Sequence, residues 1–372
     1  MRLKRAAGGL RAAGLIFLLA TLLLAGCARE RLHQQESYVF GTRVELLTWD
    51  ASDAKAESAM AEVLREFDRL HRSYHAWQPS ELSTLNAALA AGKSAEVSEE
   101  LAAWLREAQA LSAAGDGLFD PGIGRLIALW GFQNDEYPAQ LPDPAALAAW
   151  RATPAGIADL HLDGRRVSSR SPQVAIDFGG YLKGVALDRA AAILRAHGVG
   201  NALINIGGNV MALGRKNGEP WRVGIQHPRQ PGALATLELA DGEAVGTSGD
   251  YQRYFEVGGQ RYSHLIDPRS GEPAQHTRAL TVLIPGGAQA GMRSDALSKP
   301  LFIAGASWPA LAERLGVTHV LRVDADGRLD AGFGTDGGEA VHAGGEGPDT
   351  GHDETGAAPQ LRRVGRDDHV GA

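Results

Sequence analysis

Apolar and polar positions alternate from Arg43 to Trp49, the period of a strand with one face buried. From Ser52 to Arg72 the period changes: Met60, Val63, Leu64, Phe67 and Leu70 fall on one face of a long helix. Leu101, Leu105, Ala108 and Leu111 mark a second helix, which should end near Gly115. Val174 to Ile176 reads as a short strand. The stripe Leu182, Val185, Ala186, Ala190, Ile193, Leu194 predicts a third helix, with Gly198 suited to its C-terminal cap. Asn201 to Ile206 and Val210 to Leu213 read as strands broken by Gly207-Gly208. Tyr251 to Val257 and Gln260 to Ile266 flank Gly258-Gly259, a two-residue hairpin signal. Strands and helices interleave without a steady βαβ rhythm, which predicts an α+β fold.

The two ends follow other rules. Arg2, Lys4 and Arg5 precede an apolar run from Gly14 to Ala25, the pattern of an export signal. The run closes on Leu24-Ala25-Gly26-Cys27, which resembles a lipobox, and Cys27 is the only cysteine in 372 residues. Residues 1–26 are therefore expected to be a signal peptide, Cys27 the lipid-bearing residue and 27–36 a linker. A lipid-anchored protein facing the periplasm follows, folding without disulfides. The tail from about Asp336 is rich in Gly, Asp, Glu and Pro and too poor in large apolar residues to order itself. One domain, 37–334, remains between. A net charge of -7 gives no electrostatic support for nucleic-acid binding.

Four segments carry candidate chemistry. Asp177-Phe178-Gly179-Gly180-Tyr181-Leu182-Lys183-Gly184 joins a strand to a helix; it is either a tight turn or a place where an anion meets a helix N-terminus beside Lys183. Asn205-Ile206-Gly207-Gly208-Asn209 is a turn or a close approach of backbone to a flat ligand. Thr247 to Tyr251 precedes the hairpin that ends in Ser263-His264-Leu265-Ile266-Asp267-Pro268. His264 is a candidate base or a structural histidine, and Asp267 sits at a loop mouth. In Ser294-Asp295-Ala296-Leu297-Ser298-Lys299-Pro300, Ser294 can cap a helix with Asp295 in its first turn, or Asp295 can ligate a metal.

Read together and in order, these segments resemble the ApbE family over about residues 38–333. Phe40-Gly41-Thr42 is similar to that family's opening Met-Gly-Thr. Ser80-Glu81-Leu82-Ser83-Thr84-Leu85-Asn86, Phe119-Asp120-Pro121 and Leu129-Trp130-Gly131-Phe132 match its motifs, as do Asp177 to Gly184, Thr247 to Asp250 and His264 to Pro268. The resemblance implies an α+β domain with a T-fold-like sheet. It implies FAD as substrate, Mg²⁺ as cofactor and a target flavoprotein of the envelope as partner. FMN would pass to a Thr or Ser hydroxyl and AMP would leave. An FAD pyrophosphatase, or an FAD-binding lipoprotein without activity, are the alternatives. By the same resemblance Phe40, Trp77, Leu118, Phe119, Asp120, Asp177, Lys183 and Ile266 contact FAD. The Gly180 carbonyl and Asp295 hold the metal. For the transfer itself His264 is the first candidate base from its place near a strand end, with Asp267 orienting it or binding metal.

One position departs. Lys299 stands where the family has a Thr that completes the metal shell, and an ammonium has no lone pair to offer a cation. Pro300 follows inside the expected helix, where it should kink the turn. Either Mg²⁺ has fewer protein ligands here, or Lys299 partly takes its place at the FAD pyrophosphate.

Overall fold

The computed structural model describes residues 32–333 apart from 50, 51, 135, 137 and 138; Cys27, the export segment and the tail from Asp336 lie outside the described residues. Among the described residues, period-two segments assemble one eight-stranded sheet. Its strands are β1 (Leu32–Val39), β2 (Thr42–Trp49), β3 (Ala202–Ile206), β4 (Asn209–Leu213), β5 (Ala244–Gly249), β6 (Thr277–Ile284), β7 (His319–Asp324) and β8 (Leu329–Phe333). They lie in chain order and every neighbouring pair is antiparallel. The first strand begins inside the stretch expected to be a linker, because Leu32 to Val39 pairs with β2 along its whole length.

Alternation decides which side each residue covers. Val44, Leu46, Ile204, Ile206, Met211 and Val282 join the main core. The intervening Val210, Ala212, Val245 and Leu283 pack with Trp221 and Leu239 beneath a hairpin of Trp221–Gln226 and Ala233–Leu239. With both faces covered, β4 is buried at all five positions. The main-core face carries helices α1 (Asp53–Ser73), α4 (Leu182–Ala196) and α5 (Ala290–Ala304). Helix α1 begins after Ser52 and buries Met60, Val63, Phe67 and Leu70, as its spacing predicts. Helix α3 (Glu99–Ala114) stops at Gly115, and α4 is followed by Gly198 at φ +68°, which only glycine adopts without strain.

Three expectations change. Val174 to Ile176 makes a single bridge, Ala175 to Ile123, rather than a strand. The Gly258-Gly259 hairpin is real but shorter, Tyr254–Val257 against Gln260–Ser263. Helix α5 starts at Ala290, so Ser294 and Asp295 lie within it and Ser294 does not cap it; the Ser294 hydroxyl donates to the Gly291 carbonyl instead. Pro300 stays inside this helix, where its missing N–H removes one backbone bond.

Helix α5 is buried nearly all round, and glycines let two neighbours approach it closely. A Cβ at Gly184 of α4 would lie 2.4 Å from the Gly291 carbonyl oxygen, and one at Gly246 of β5 would lie 2.1 Å from that of Ser294. Backbone therefore meets backbone on both sides. The Asp188 carboxylate of α4 accepts from the Gly291 and Met292 N–H groups at 2.8 Å each, closing the helix start that no local side chain caps.

Candidate active site

At one end of the sheet the turns β1–β2 and β3–β4 lie side by side with the end of β5, and a cleft of about 630 Å³ opens there. That is the size of a small-molecule site. Phe40 and Gly41 make the first turn, both with positive φ, 57° and 69°. A bulky residue rarely accepts this conformation, and its cost of order 1–3 kcal/mol is found mainly at functional sites. Gly207 in the second turn leaves room for Thr42, whose hydroxyl would be 2.5 Å from a Cβ there.

The cleft's aromatic end holds Phe40, His71, His75 and Trp77. The Phe40 and His71 rings meet edge to face, as do those of His71 and His75. Trp77 is 38% exposed, one of few large apolar side chains left open to solvent. Its indole N–H donates to Asp177 Oδ2 at 3.1 Å, while Asp177 Oδ1 accepts from the Gly179 N–H at 2.7 Å. Asp177 thus locks the Trp77 ring and the glycine turn to each other. Asn86, at the end of the Ser80–Asn86 motif, makes two hydrogen bonds to the Ile176 backbone and so fixes this turn from below. Ser80 caps helix α2 (Glu81–Ala90) through a reciprocal pair with Ser83. That motif is largely architectural.

Leu118, Phe119 and Ile266 form apolar walls of the cleft and are themselves buried. Asp120 lines the cleft too, but its Oδ1 accepts from the Gly122 and Ile157 N–H groups at 2.7 and 2.8 Å. Burial pushes its carboxyl up to about 6 against those two donors. Its visible role is to hold two loops together.

The polar end gathers Gly179, Gly180, Lys183, His264 and Lys299. His264 Nδ1 is 3.1 Å from the Arg253 carbonyl, which also accepts the His264 backbone N–H. A carbonyl only accepts, so Nδ1 carries the proton and Nε2 keeps its lone pair. Burial, the Arg253 charge and the ammoniums of Lys183 and Lys299 pull the imidazole down to about 3, against that carbonyl bond. The ring is therefore neutral at physiological pH. Arg253 is fixed in turn by donating to the Phe132 carbonyl at 2.6 Å, and Trp130, Phe132, Phe255 and Tyr262 stack behind it.

Asp267 does not orient His264. Its carboxylate accepts from the Arg269 guanidinium at 2.8 Å and from the Arg269 backbone N–H at 2.9 Å, closing a turn outside the cleft. Arg253 does the orienting, and sequence reasoning missed it. The signal was present: a two-residue turn at Gly258-Gly259 pairs Tyr254 with Ser263, which places Arg253 opposite His264.

Asp295 is fully buried. Its Oδ2 accepts from the Gly184 N–H at 3.0 Å and its Oδ1 is ion-paired with Lys299 Nζ, which also donates to the Asp295 carbonyl at 2.7 Å. The helix N-terminus expected to receive a ligand anion thus already has one in Asp295. Burial works against the charged carboxylate, but the ammoniums of Lys299 and Lys183 hold it below the usual range. The Lys299 stem crosses Gly180, with Cε 3.1 Å from where a Cβ would be. As placed, these groups do not fit a divalent ion, because the single carboxylate is already neutralised by a lysine.

Residues 40–321 match the model of the ApbE family. The chain is 41% identical over 320 residues to the FAD:protein FMN transferase of Rhodobacter capsulatus, spanning 84% of this chain but 60% of that protein. It is 31% identical to the FAD:protein FMN transferase of Haemophilus influenzae, across 84% of this chain and 93% of the relative. The ApbE protein of Thermotoga maritima superposes with a TM-score of 0.74 at 29% identity, covering 81% of this chain and 97% of that one. With the family model spanning most of the chain, and cleft, glycine turn and histidine all within the matched residues, this chain belongs to the ApbE family.

Proposed function

We infer that the chain is an FAD:protein FMN transferase that moves FMN from FAD onto a Thr or Ser hydroxyl of a target flavoprotein. The observation that carries this reading is His264, neutral and with Nε2 unprotonated, beside the ammoniums of Lys183 and Lys299 in a cleft with an aromatic end. An isoalloxazine suits the Trp77 and Phe40 end, and a pyrophosphate suits the lysines. The target oxygen attacks the FMN-side phosphorus, the bond to the AMP-side oxygen breaks, and His264 Nε2 takes the hydroxyl proton. The two lysines offset charge on the phosphate oxygens, and AMP is already a good leaving group. A positioned base is worth about 10²–10⁴-fold when its pKa lies near the working pH, and the FAD pyrophosphate, by offsetting the Lys183 and Lys299 charges, raises the His264 imidazole toward that range. The names borne by the relatives support the same reaction.

The lipobox-like Leu24 to Cys27 supports an anchor on the bacterial membrane with the domain facing the periplasm, where an envelope flavoprotein would be met. The eight-stranded antiparallel sheet supports a T-fold-like description of the core. The test is to incubate the purified chain with FAD and a co-expressed target, then weigh the target intact. A gain equal to FMN is expected. Free FMN and AMP with no adduct would make the chain an FAD pyrophosphatase, and unchanged FAD would make it a binding protein.

A further inference from the structure

We propose that the ammonium of Lys299 is a built-in cation that replaces a divalent metal ion at the pyrophosphate end of the cleft, so that FAD binds without Mg²⁺. The inference rests on the reading of FAD as the ligand. Lys299 lies one helical turn after Asp295 on α5, so both side chains share a face. Its Nζ has three N–H donors. One goes to the Asp295 carboxylate and one to the Asp295 carbonyl, which leaves one for the cleft that Lys299 lines.

The competition is decided by charge and space. Asp295 is buried and carries one negative charge, and Lys299 already neutralises it. Lys183 adds a second positive charge close enough to act on both. An entering divalent ion would have to strip the ammonium from the carboxylate, leaving it only the Asp295 carbonyl in a largely buried place, and would itself have to shed tightly held water. The space beside Gly180 is also filled, since the Lys299 stem lies where a side chain at that position would be. A tethered ammonium gives up less entropy than a captured ion and is present whatever the metal supply.

The experiment is calorimetric titration of FAD into the mature protein, in EDTA and in Mg²⁺, with Lys299→Thr and Lys299→Met alongside. The wild type should bind with a Kd that differs less than threefold between the two conditions. Lys299→Met, which keeps the stem but loses the charge, should bind at least tenfold more weakly in EDTA. Lys299→Thr should weaken similarly in EDTA and recover in Mg²⁺, because it restores an oxygen and frees Asp295. Titrating Mg²⁺ alone should give heat with Lys299→Thr and none with wild type. Wild-type binding that needs Mg²⁺ by tenfold or more, or variants that match wild type in EDTA, would overturn the proposal and leave the FAD reading standing. No FAD binding in either condition would instead remove both.

Discussion

Replacing Gly184 with Ala tests whether α4 and α5 really cross backbone to backbone under the site. The new Cβ would lie 2.4 Å from Gly291 O, 2.6 Å from Met292 Cα and 2.7 Å from Asp295 Cβ, where ordinary contact begins at 3.4 Å. Two of these atoms are backbone and cannot rotate away, so the helices must part by about 1 Å, the shortfall at the closest contact. The 3.0 Å bond from the Gly184 N–H to Asp295 then stretches beyond hydrogen-bond range. Overpacking costs about 1–3 kcal/mol. Losing a hydrogen bond to a charged acceptor costs about 1.5–3 kcal/mol. Alanine returns about 1 kcal/mol in helix propensity. The net loss is about 1.5–5 kcal/mol, or a fall in Tm of roughly 3–10 °C for a domain of this size. Thermal unfolding followed by circular dichroism measures it, with Gly200→Ala as the control, since a Cβ there meets nothing within 4 Å. The variant should also bind FAD less tightly, because Asp295 and Lys299 ride on α5. A Gly184→Ala melt that coincides with the control would refute the close crossing.

His264→Ala should lose FMN transfer by about 10²-fold or more while FAD affinity, read by flavin fluorescence, changes little. Transfer within a few-fold of wild type would make His264 structural. With its imidazole held at about 3 rather than 6.5, kcat/KM should stay flat as pH falls from 8 through 6.5. The lone pair is lost only when pH drops toward the depressed value, so an acid limb centred near 6.5 would contradict the burial argument. Trp77→Ala should weaken FAD binding by about 1–3 kcal/mol, the worth of a stacked aromatic, and Trp77→Phe by less. Equal affinities for all three proteins would remove Trp77 from the flavin site. Cys27→Ser should abolish incorporation of labelled fatty acid; equal label on both proteins would exclude Cys27 as the acceptor.

Period and turn chemistry made much of the fold legible. Alternation from Arg43 to Trp49, the stripe through Met60 and Leu70, and the glycine pairs at 207–208 and 258–259 each correspond to an element with the face or turn they imply. Helix α5 was misplaced at its start for a physical reason. It is buried on nearly every side and so has no apolar stripe, its first turn follows Gln289 in a left-handed conformation, and its cap is Asp188 of another helix. Asp267 misled because a carboxylate at a loop mouth looks free in sequence, whereas Arg269 two residues on claims it. The resemblance placed Trp77, Asp177, Lys183, His264 and Lys299 in one site, and the cleft brings all five together. It could not show that Asp120 is spent on backbone N–H groups, or that Arg253 holds His264, because both depend on contacts between distant segments.

The most direct measurement is in-gel flavin fluorescence of envelope proteins from cells lacking the chain, complemented with wild type or with His264→Ala. Flavin transfer predicts a fluorescent band that survives denaturation, present with wild type and absent from both the deletion and the His264→Ala strain. Mass spectrometry of that band should place FMN on a Thr or Ser. The same band pattern in all three strains would contradict the account.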